Sequence, residues 1–170
     1  ELEVWMKQAS RDLEFERAGI YRDQLRSLES IRESQRVVLV SDTDQDVIGL
    51  YREGSNVEID LLFVRSGRVS DTASYSLRKI ELPDEVVLAN FIGEFYGGEE
   101  ERGPIPPEII LPALPDGADG VAEWISDKRG RKVELLVPQR GSRRKLLEMA
   151  QENAKNSFRA AIIVVIISRS

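Results

Sequence analysis

The sequence contains no cysteine and no histidine. The absence of cysteine excludes disulfides, thiolate nucleophiles and zinc sites built on sulfur. The absence of histidine excludes imidazole general bases, Ser-His-Asp triads and most transition-metal sites. Long apolar runs are also lacking, because the longest one, residues 160–167, is far below the roughly 20 residues that a membrane span needs. The chemistry that remains would use carboxylates, Lys, Tyr or oxygen-bound Mg²⁺, and we predict no cofactor.

The amino-terminal segment shows no pattern of an export signal. No apolar segment follows Glu1, so we expect a cytoplasmic protein that makes no membrane contact. Because the first residue is not Met and the chain begins within an apolar pattern, we interpret the sequence as part of something longer.

Charge is distributed unevenly along the 170 residues, whose net charge is −6. Residues 1–36 carry 7 basic and 8 acidic side chains, residues 37–120 carry 6 and 17, and residues 121–170 carry 11 and 5. An acidic surface beside a separate basic patch for polyanions would give this distribution. Several helices with solvated faces would give it as well, and both interpretations stay open at this point.

Residues 1–36 show the apolar spacing of two short helices. Apolar side chains recur at steps of three and four, first up to Leu13 and then from Ala18 onward, so each set falls on one helix face. The phase breaks near Asp12, which predicts an antiparallel helical hairpin with Phe15 at its turn. Each helix is too short to bury its stripe alone, and the pair leaves an apolar strip for a partner.

From Val37 onward the apolar period changes to two, which is typical of strands. Strands are predicted over residues 37–40, 46–52, 56–65, 68–76, 108–111 and 132–137. Helices are predicted over residues 84–95, 120–127 and 142–158. Counted from the strand over 46–52, the order is βββαβαβα, which is the order of ribonuclease-H-like folds and places the chain in the α+β or α/β class, with helices on the faces of a mixed sheet. We therefore expect a hairpin over 1–36, a middle domain over 37–158 and an atypical apolar tail over 159–170.

Carboxylates in this domain suggest a two-metal nuclease as one hypothesis. Such a site needs acidic residues on the first strand, on the first helix and after the fourth strand. The weak candidates for metal ligands are Asp46, Glu94 (with Glu85 as its substitute) and Asp116. Strand 108–111 offers no carboxylate at its end, so we predict a catalytically silent fold without a metal site. An active Mg²⁺ nuclease using those three residues is the alternative.

Two groups of basic residues flank strand 132–137. They are predicted to lie at one sheet edge, near the helix that begins at Ser142, where backbone N–H groups favour phosphate. No aromatic residue interleaves the charges, so a contact would depend on charge and not on base sequence. A merely solvated face is the alternative. The candidates for contact with DNA phosphates are Lys128, Arg129, Arg131, Lys132, Arg140, Arg143, Arg144 and Lys145.

The hairpin carries a specific motif. Residues 6–18 read MKQASRDLEFERA and residues 21–25 read YRDQL, a pattern that resembles the UVR motif of the UvrB and UvrC families of bacterial nucleotide excision repair. The segments DQDVIG (44–49), NFIGEFY (90–96), PEIIL (107–111) and RGSRRKLLEMAQENA (140–154) are similar to UvrC. The resemblance to the UvrC family covers residues 1–158.

The resemblance implies a non-catalytic central segment of UvrC that links two nuclease regions and works on DNA in the UvrABC complex. A stress-response adaptor with a UVR hairpin is a further alternative. Two features depart from the family: Gly19 stands where a second Ala is usual, and residues 159–170 do not resemble UvrC and could pair as a strand. The resemblance also implies that the hairpin binds UvrB through Leu13, Phe15, Ala18, Arg22 and Leu25.

Overall fold

A computed structural model describes the backbone of residues 42–98 and 103–169, and the side chains of the last helix as far as Ile162. The predicted hairpin over 1–36, its five expected contacts with UvrB, and the predicted strand over 37–40 lie outside the described residues. The fold described below is therefore that of the middle domain and of the helix that ends it.

The element order of the described residues is βββαβαβα, as the sequence predicts. Most predicted bounds agree with the structure to within two residues, and the last helix is the exception. The elements are β1 (Gln45–Glu53), β2 (Asn56–Arg65), β3 (Arg68–Leu77), α1 (Asp84–Gly97), β4 (Glu108–Ile110), α2 (Ala118–Arg129), β5 (Glu134–Leu136) and α3 (Gly141–Arg169).

The five strands form one mixed sheet in the order β3-β2-β1-β4-β5. The first three strands are antiparallel neighbours, whereas β4 pairs in parallel with both β1 and β5. The turn between β2 and β3 contains Ser66 and Gly67, both with positive φ (52° and 74°). Two left-handed residues in a two-residue loop match the twist of an antiparallel hairpin, so this short turn fixes the β2–β3 pairing locally.

Side chains alternate between the two faces of the sheet, and each face forms its own hydrophobic core. Ile48 of β1 belongs to the larger core, which α1 and α2 cover. Its neighbour Val47 belongs to the second core, which α3 covers with Leu146, Leu147 and Ala150. Since successive side chains of a strand point to opposite faces, the sheet lies between α1 and α2 on one side and α3 on the other.

The last helix, α3, is longer than the sequence indicates. It runs as one helix from Gly141 to Arg169, so the interpretation of residues 159–170 as a strand is wrong. A buried hydrogen bond ties α3 to the sheet, because the Ser157 hydroxyl donates to Asp60 Oδ2 of β2 at 2.8 Å. In the described part of the chain, no helix is both long enough and apolar enough to cross a membrane.

Candidate functional site

Asp46 lies near the start of β1 and is only 2 % exposed. Its two carboxylate oxygens accept hydrogen bonds from different elements. Oδ1 accepts from Nη1 of Arg65 at 2.9 Å, and Oδ2 accepts from the hydroxyl of Tyr96 at 2.6 Å. Arg65 ends β2 and Tyr96 lies in the last turn of α1, so this carboxylate joins three elements of the domain.

The guanidinium of Arg65 is itself held in place by backbone acceptors. Nη1 also donates to the carbonyl oxygens of Gln45 (3.0 Å) and Val64 (2.9 Å). Burial raises the pKa of Asp46 above its usual value, and the contacts with Tyr96 and Arg65 oppose that rise. A protein cation therefore supplies the positive charge next to this buried carboxylate.

The other carboxylates considered for a metal site do not converge on Asp46. Glu94 lies on α1 about 200° around the helix axis from Tyr96, the residue that contacts Asp46. Asp116 is exposed, and its backbone N–H donates to the carbonyl oxygen of Glu85 at 2.9 Å. In residues 42–98 and 103–169, no group of three or more acidic side chains is placed to hold a metal ion. The structure thus does not assemble the trio that the nuclease alternative requires.

A second polar network joins β1, β4 and α3. Nε2 of Gln45 donates to Oε1 of Glu108 at 2.7 Å, and Arg143 donates to both oxygens of Glu108 at 3.0 and 2.7 Å. The hydrogen bond from Arg143 is the main reason why the pKa of Glu108 is lowered, and contact with Glu108 raises the pKa of Arg143. Arg143, one of the eight predicted phosphate contacts, is therefore used inside the domain.

Arg129 also donates hydrogen bonds to acceptors of the domain itself. Its Nε donates to the carbonyl oxygen of Ile105 at 2.9 Å, and its Nη1 donates to that of Lys132 at 3.0 Å. These bonds tie the end of α2 to the segments that precede β4 and β5. Since the guanidinium satisfies two backbone carbonyls, its main role is to hold the α2–β5 connection.

The remaining six basic candidates are on or near the surface. Three of them have weak exposed partners: Lys132 with Glu134 at 3.6 Å, Arg144 with Glu148 at 3.3 Å, and Lys128 above the Trp124 ring at 5.5 Å. Exposed pairs of this kind contribute little and are screened by salt. The other three, which have no hydrogen-bond or ion-pair partner in the described residues, are Arg131, Arg140 and Lys145.

The topology places the basic residues at the two ends of one strand. Among the described strands, β5 lies at one edge of the sheet. Lys128 to Lys132 precede β5, whereas Arg140 to Lys145 follow it. The two groups therefore lie at opposite ends of a three-residue strand.

Sequence reasoning missed the partners of Asp46. Tyr96 is 50 residues away along the chain and nothing in its surroundings indicated the contact. A signal for Arg65 did exist in the short β1–β2 connection. The pairing of Glu53 with Asn56 continues to Gln45 and Val64, and this register brings residue 65 beside the start of β1.

Comparison with known proteins gives two family matches. Residues 44–161 match the model of the UvrC ribonuclease H-like domain, and residues 1–31 match the model of the UvrB/UvrC motif, UVR. Together the two matched segments cover residues 1–31 and 44–161 of the chain.

Curated relatives give the same result. The chain is 46 % identical over 158 residues to the UvrABC system protein C of Syntrophotalea carbinolica, covering 93 % of this chain and 25 % of that protein. It is 41 % identical over 155 residues to the protein of the same name from Anaeromyxobacter sp. strain Fw109-5, covering 91 % and 21 %. It is 36 % identical over 170 residues to the protein of the same name from Mycobacterium marinum, covering 93 % of this chain and 26 % of that protein. The chain thus spans about a quarter of the length of these relatives.

Proposed function

This chain belongs to the UvrC family, and from that premise we propose that it is a non-catalytic part of the UvrC subunit of an excinuclease acting in nucleotide excision repair. The observation that carries the proposal is the occurrence of both matches in one chain, a UVR motif over 1–31 and a ribonuclease H-like domain over 44–161. The second match favours an excinuclease subunit over a stress-response adaptor with a UVR hairpin alone. In this proposal the hairpin recruits UvrB, and the middle domain links the two nuclease regions.

Binding of UvrB is assigned to the apolar strip of the hairpin. Two short helices that cannot bury their own stripes gain stability when a second apolar surface covers them. A hairpin of matching type in UvrB would supply such a surface. The residues proposed to make the contact are Leu13, Phe15, Ala18, Arg22 and Leu25.

Replacing Phe15 with alanine is expected to weaken the affinity for UvrB at least several-fold. Full burial of a Phe side chain is worth about 1.5–3 kcal/mol by area alone, and that gain is lost on truncation. Titration of labelled full-length chain with purified UvrB measures the dissociation constant. The matched control is Leu114→Ala, which shortens a side chain that is 53 % exposed on the middle domain and should leave the affinity unchanged. An unchanged affinity in Phe15→Ala would rule out the proposed contact.

The absence of nuclease activity is supported by the surroundings of Asp46. Both of its oxygens already accept hydrogen bonds, and one of the donors is a cation. A Mg²⁺ ion needs several free oxygen ligands and near-octahedral geometry. Binding of the ion would therefore have to displace Arg65, whose Nη1 donates to three acceptors: Oδ1 of Asp46 and the carbonyl oxygens of Gln45 and Val64.

We expect the purified chain to leave supercoiled DNA intact in the presence of Mg²⁺ or Mn²⁺. Conversion of supercoiled to open-circular plasmid on an agarose gel measures nicking directly. The control is Asp46→Asn, which preserves the shape of the side chain and removes the one buried carboxylate at the start of β1. Nicking by the wild-type chain that disappears in Asp46→Asn would establish the active-nuclease alternative in place of the proposed silent domain.

A further inference from the structure

The structure divides the eight basic candidates into two kinds. Arg129 and Arg143 each donate more than one hydrogen bond to the domain itself, and the charge of Arg143, although 46 % exposed, is paired with Glu108. The other six, which we call the β5-edge cations, keep their charged groups at or near the surface. They are Lys128, Arg131, Lys132, Arg140, Arg144 and Lys145.

The β5-edge cations are spaced for a single extended polyanion. Arg140 follows Lys132 by eight positions, and a fully extended chain of eight residues spans at most about 29 Å. One turn of duplex DNA is roughly 34 Å long, and the duplex carries one charge per roughly 1.7 Å of its axis. Both groups of cations can therefore reach phosphates within a single turn of the same duplex.

The chemistry of this surface fits phosphates and not bases. No aromatic residue occurs between positions 128 and 145, so stacking platforms for unpaired bases are missing from the stretch. Trp124 lies close by, but the Lys128 ammonium lies above its ring. Cations without a free aromatic platform for stacking can contact the phosphodiester backbone, and such a contact does not depend on base sequence.

Glu134 and Glu148 lie beside two of the cations, whereas another group of acidic side chains is carried by α2. Asp119, Glu123 and Asp127 are exposed on α2 at intervals of four residues, which places them on one face of that helix. Asp116 and Glu85 are exposed beside the start of the same helix and are linked through their backbones. A polyanion is repelled from this acidic face, so the charge distribution directs it to the β5 edge.

We propose that the β5-edge cations bind the phosphodiester backbone of duplex DNA without regard to base sequence. The choice of DNA among polyanions rests on the proposed function in excision repair. This surface belongs to the middle domain and shares no residue with the hairpin. The DNA contact and the contact with UvrB can therefore be tested separately.

Fluorescence anisotropy of a labelled duplex titrated with the full chain tests the proposal. If about four of the cations contact phosphates, affinity should fall roughly 100-fold between about 50 and 200 mM salt. The double variant Arg140→Glu, Lys145→Glu should bind more weakly at low salt, and its affinity should fall only about tenfold over the same range, because two contacts are lost. Both replaced residues are exposed, and a thermal melt checks that the variant folds.

The matched control carries the same change of net charge on the other edge strand. Arg68→Glu with Lys79→Glu alters exposed cations at the two ends of β3 and should bind duplex DNA as the wild type does. An equal loss of affinity for DNA in both double variants would mean that the net charge of the chain, and not the position of the cations, determines binding, and it would overturn the proposal. Equally tight binding of duplex RNA would overturn the assignment to DNA. A wild-type chain that binds UvrB normally but not duplex DNA would refute this inference and leave the proposed function standing.

Discussion

Replacing Gly49 with alanine is expected to destabilise the middle domain by about 3 kcal/mol. A Cβ atom at this position would lie 2.3 Å from the carbonyl oxygen of Ala150 and 2.8 Å from the backbone nitrogen of Gln151. Both contacts are with the backbone of α3, so no change of side-chain rotamer relieves them. The helix must instead move away from the sheet, and the second hydrophobic core opens with it.

The same movement breaks a hydrogen bond that β1 needs. β4 pairs with β1 only over Gln45 to Val47, so within residues 42–98 and 103–169 no strand lies beside the later part of that β1 edge. The backbone N–H of Leu50 donates instead to Oε1 of Gln151 at 2.5 Å. A buried donor left without an acceptor costs about 1–3 kcal/mol, which adds to the steric cost at Gly49.

Urea denaturation followed by circular dichroism measures both the midpoint and the slope of unfolding. The control is Gly93→Ala in α1, where an added Cβ meets nothing within 4 Å. That variant should be more stable by roughly 0.5–1 kcal/mol, because alanine is favoured over glycine inside a helix. Replacement of glycine by alanine is thus expected to lower the free energy of unfolding at position 49 and to raise it at position 93. A Gly49→Ala variant as stable as the wild type would contradict the close packing of α3 on β1.

The strands and the fold class could be predicted because their signals are local. Alternating apolar residues defined β1 to β3, and Gly54 and Gly67 marked the turns between them. Pro83 before α1 and the glycines after it bounded the first helix almost correctly. Such signals depend on the residue itself and its near neighbours, so a single sequence is enough to detect them.

The parts that could not be predicted depend on contacts between distant segments. The apolar residues 160–167 fit a strand by composition, because β-branched residues favour strands. The backbone nevertheless continues the helix of α3 through them to Arg169. Likewise, which basic residues are held by hydrogen bonds within the domain depends on Glu108 and on the Ile105 carbonyl, which lie 35 and 24 residues from their partners. The sequence therefore indicated a group of basic residues, but it did not indicate which of them are already paired within the domain and which could contact phosphate.

Replacing Arg65 with methionine is expected to destabilise the domain by about 2–3 kcal/mol near neutral pH. The change removes the cation beside Asp46, whose side chain is 2 % exposed, and keeps a linear apolar stem. Loss of one partner from a buried ion pair costs about 3–5 kcal/mol, and the 29 % exposure of Arg65 reduces that value. Tyr96 remains as the second hydrogen-bond donor to the carboxylate, so we expect the variant domain to be less stable but still to fold.

A second substitution separates loss of the charge from loss of packing. Asp46→Asn alone should have a small effect, since its amide can accept from Arg65 and donate to the Tyr96 oxygen. In the Arg65→Met background, the same change should restore most of the lost stability, because no buried charge is left unpaired. This double-mutant cycle gives the coupling energy between the two side chains. A double variant as unstable as Arg65→Met alone would mean that Arg65 acts through packing and its carbonyl contacts.

The dependence on pH gives an independent test of the same pair. Burial raises the pKa of Asp46 above 3.8, so the folded chain binds this proton more tightly than the unfolded chain does. The contribution of Asp46 to stability therefore increases as pH falls through the folded pKa toward 3.8, and it is lost as pH rises. Without Arg65 the pKa rises further, so between about pH 7 and pH 5 the deficit of Arg65→Met relative to the wild type should shrink. Urea midpoints at the two pH values measure this change, and a deficit that stays constant would exclude an ionised Asp46 as its cause.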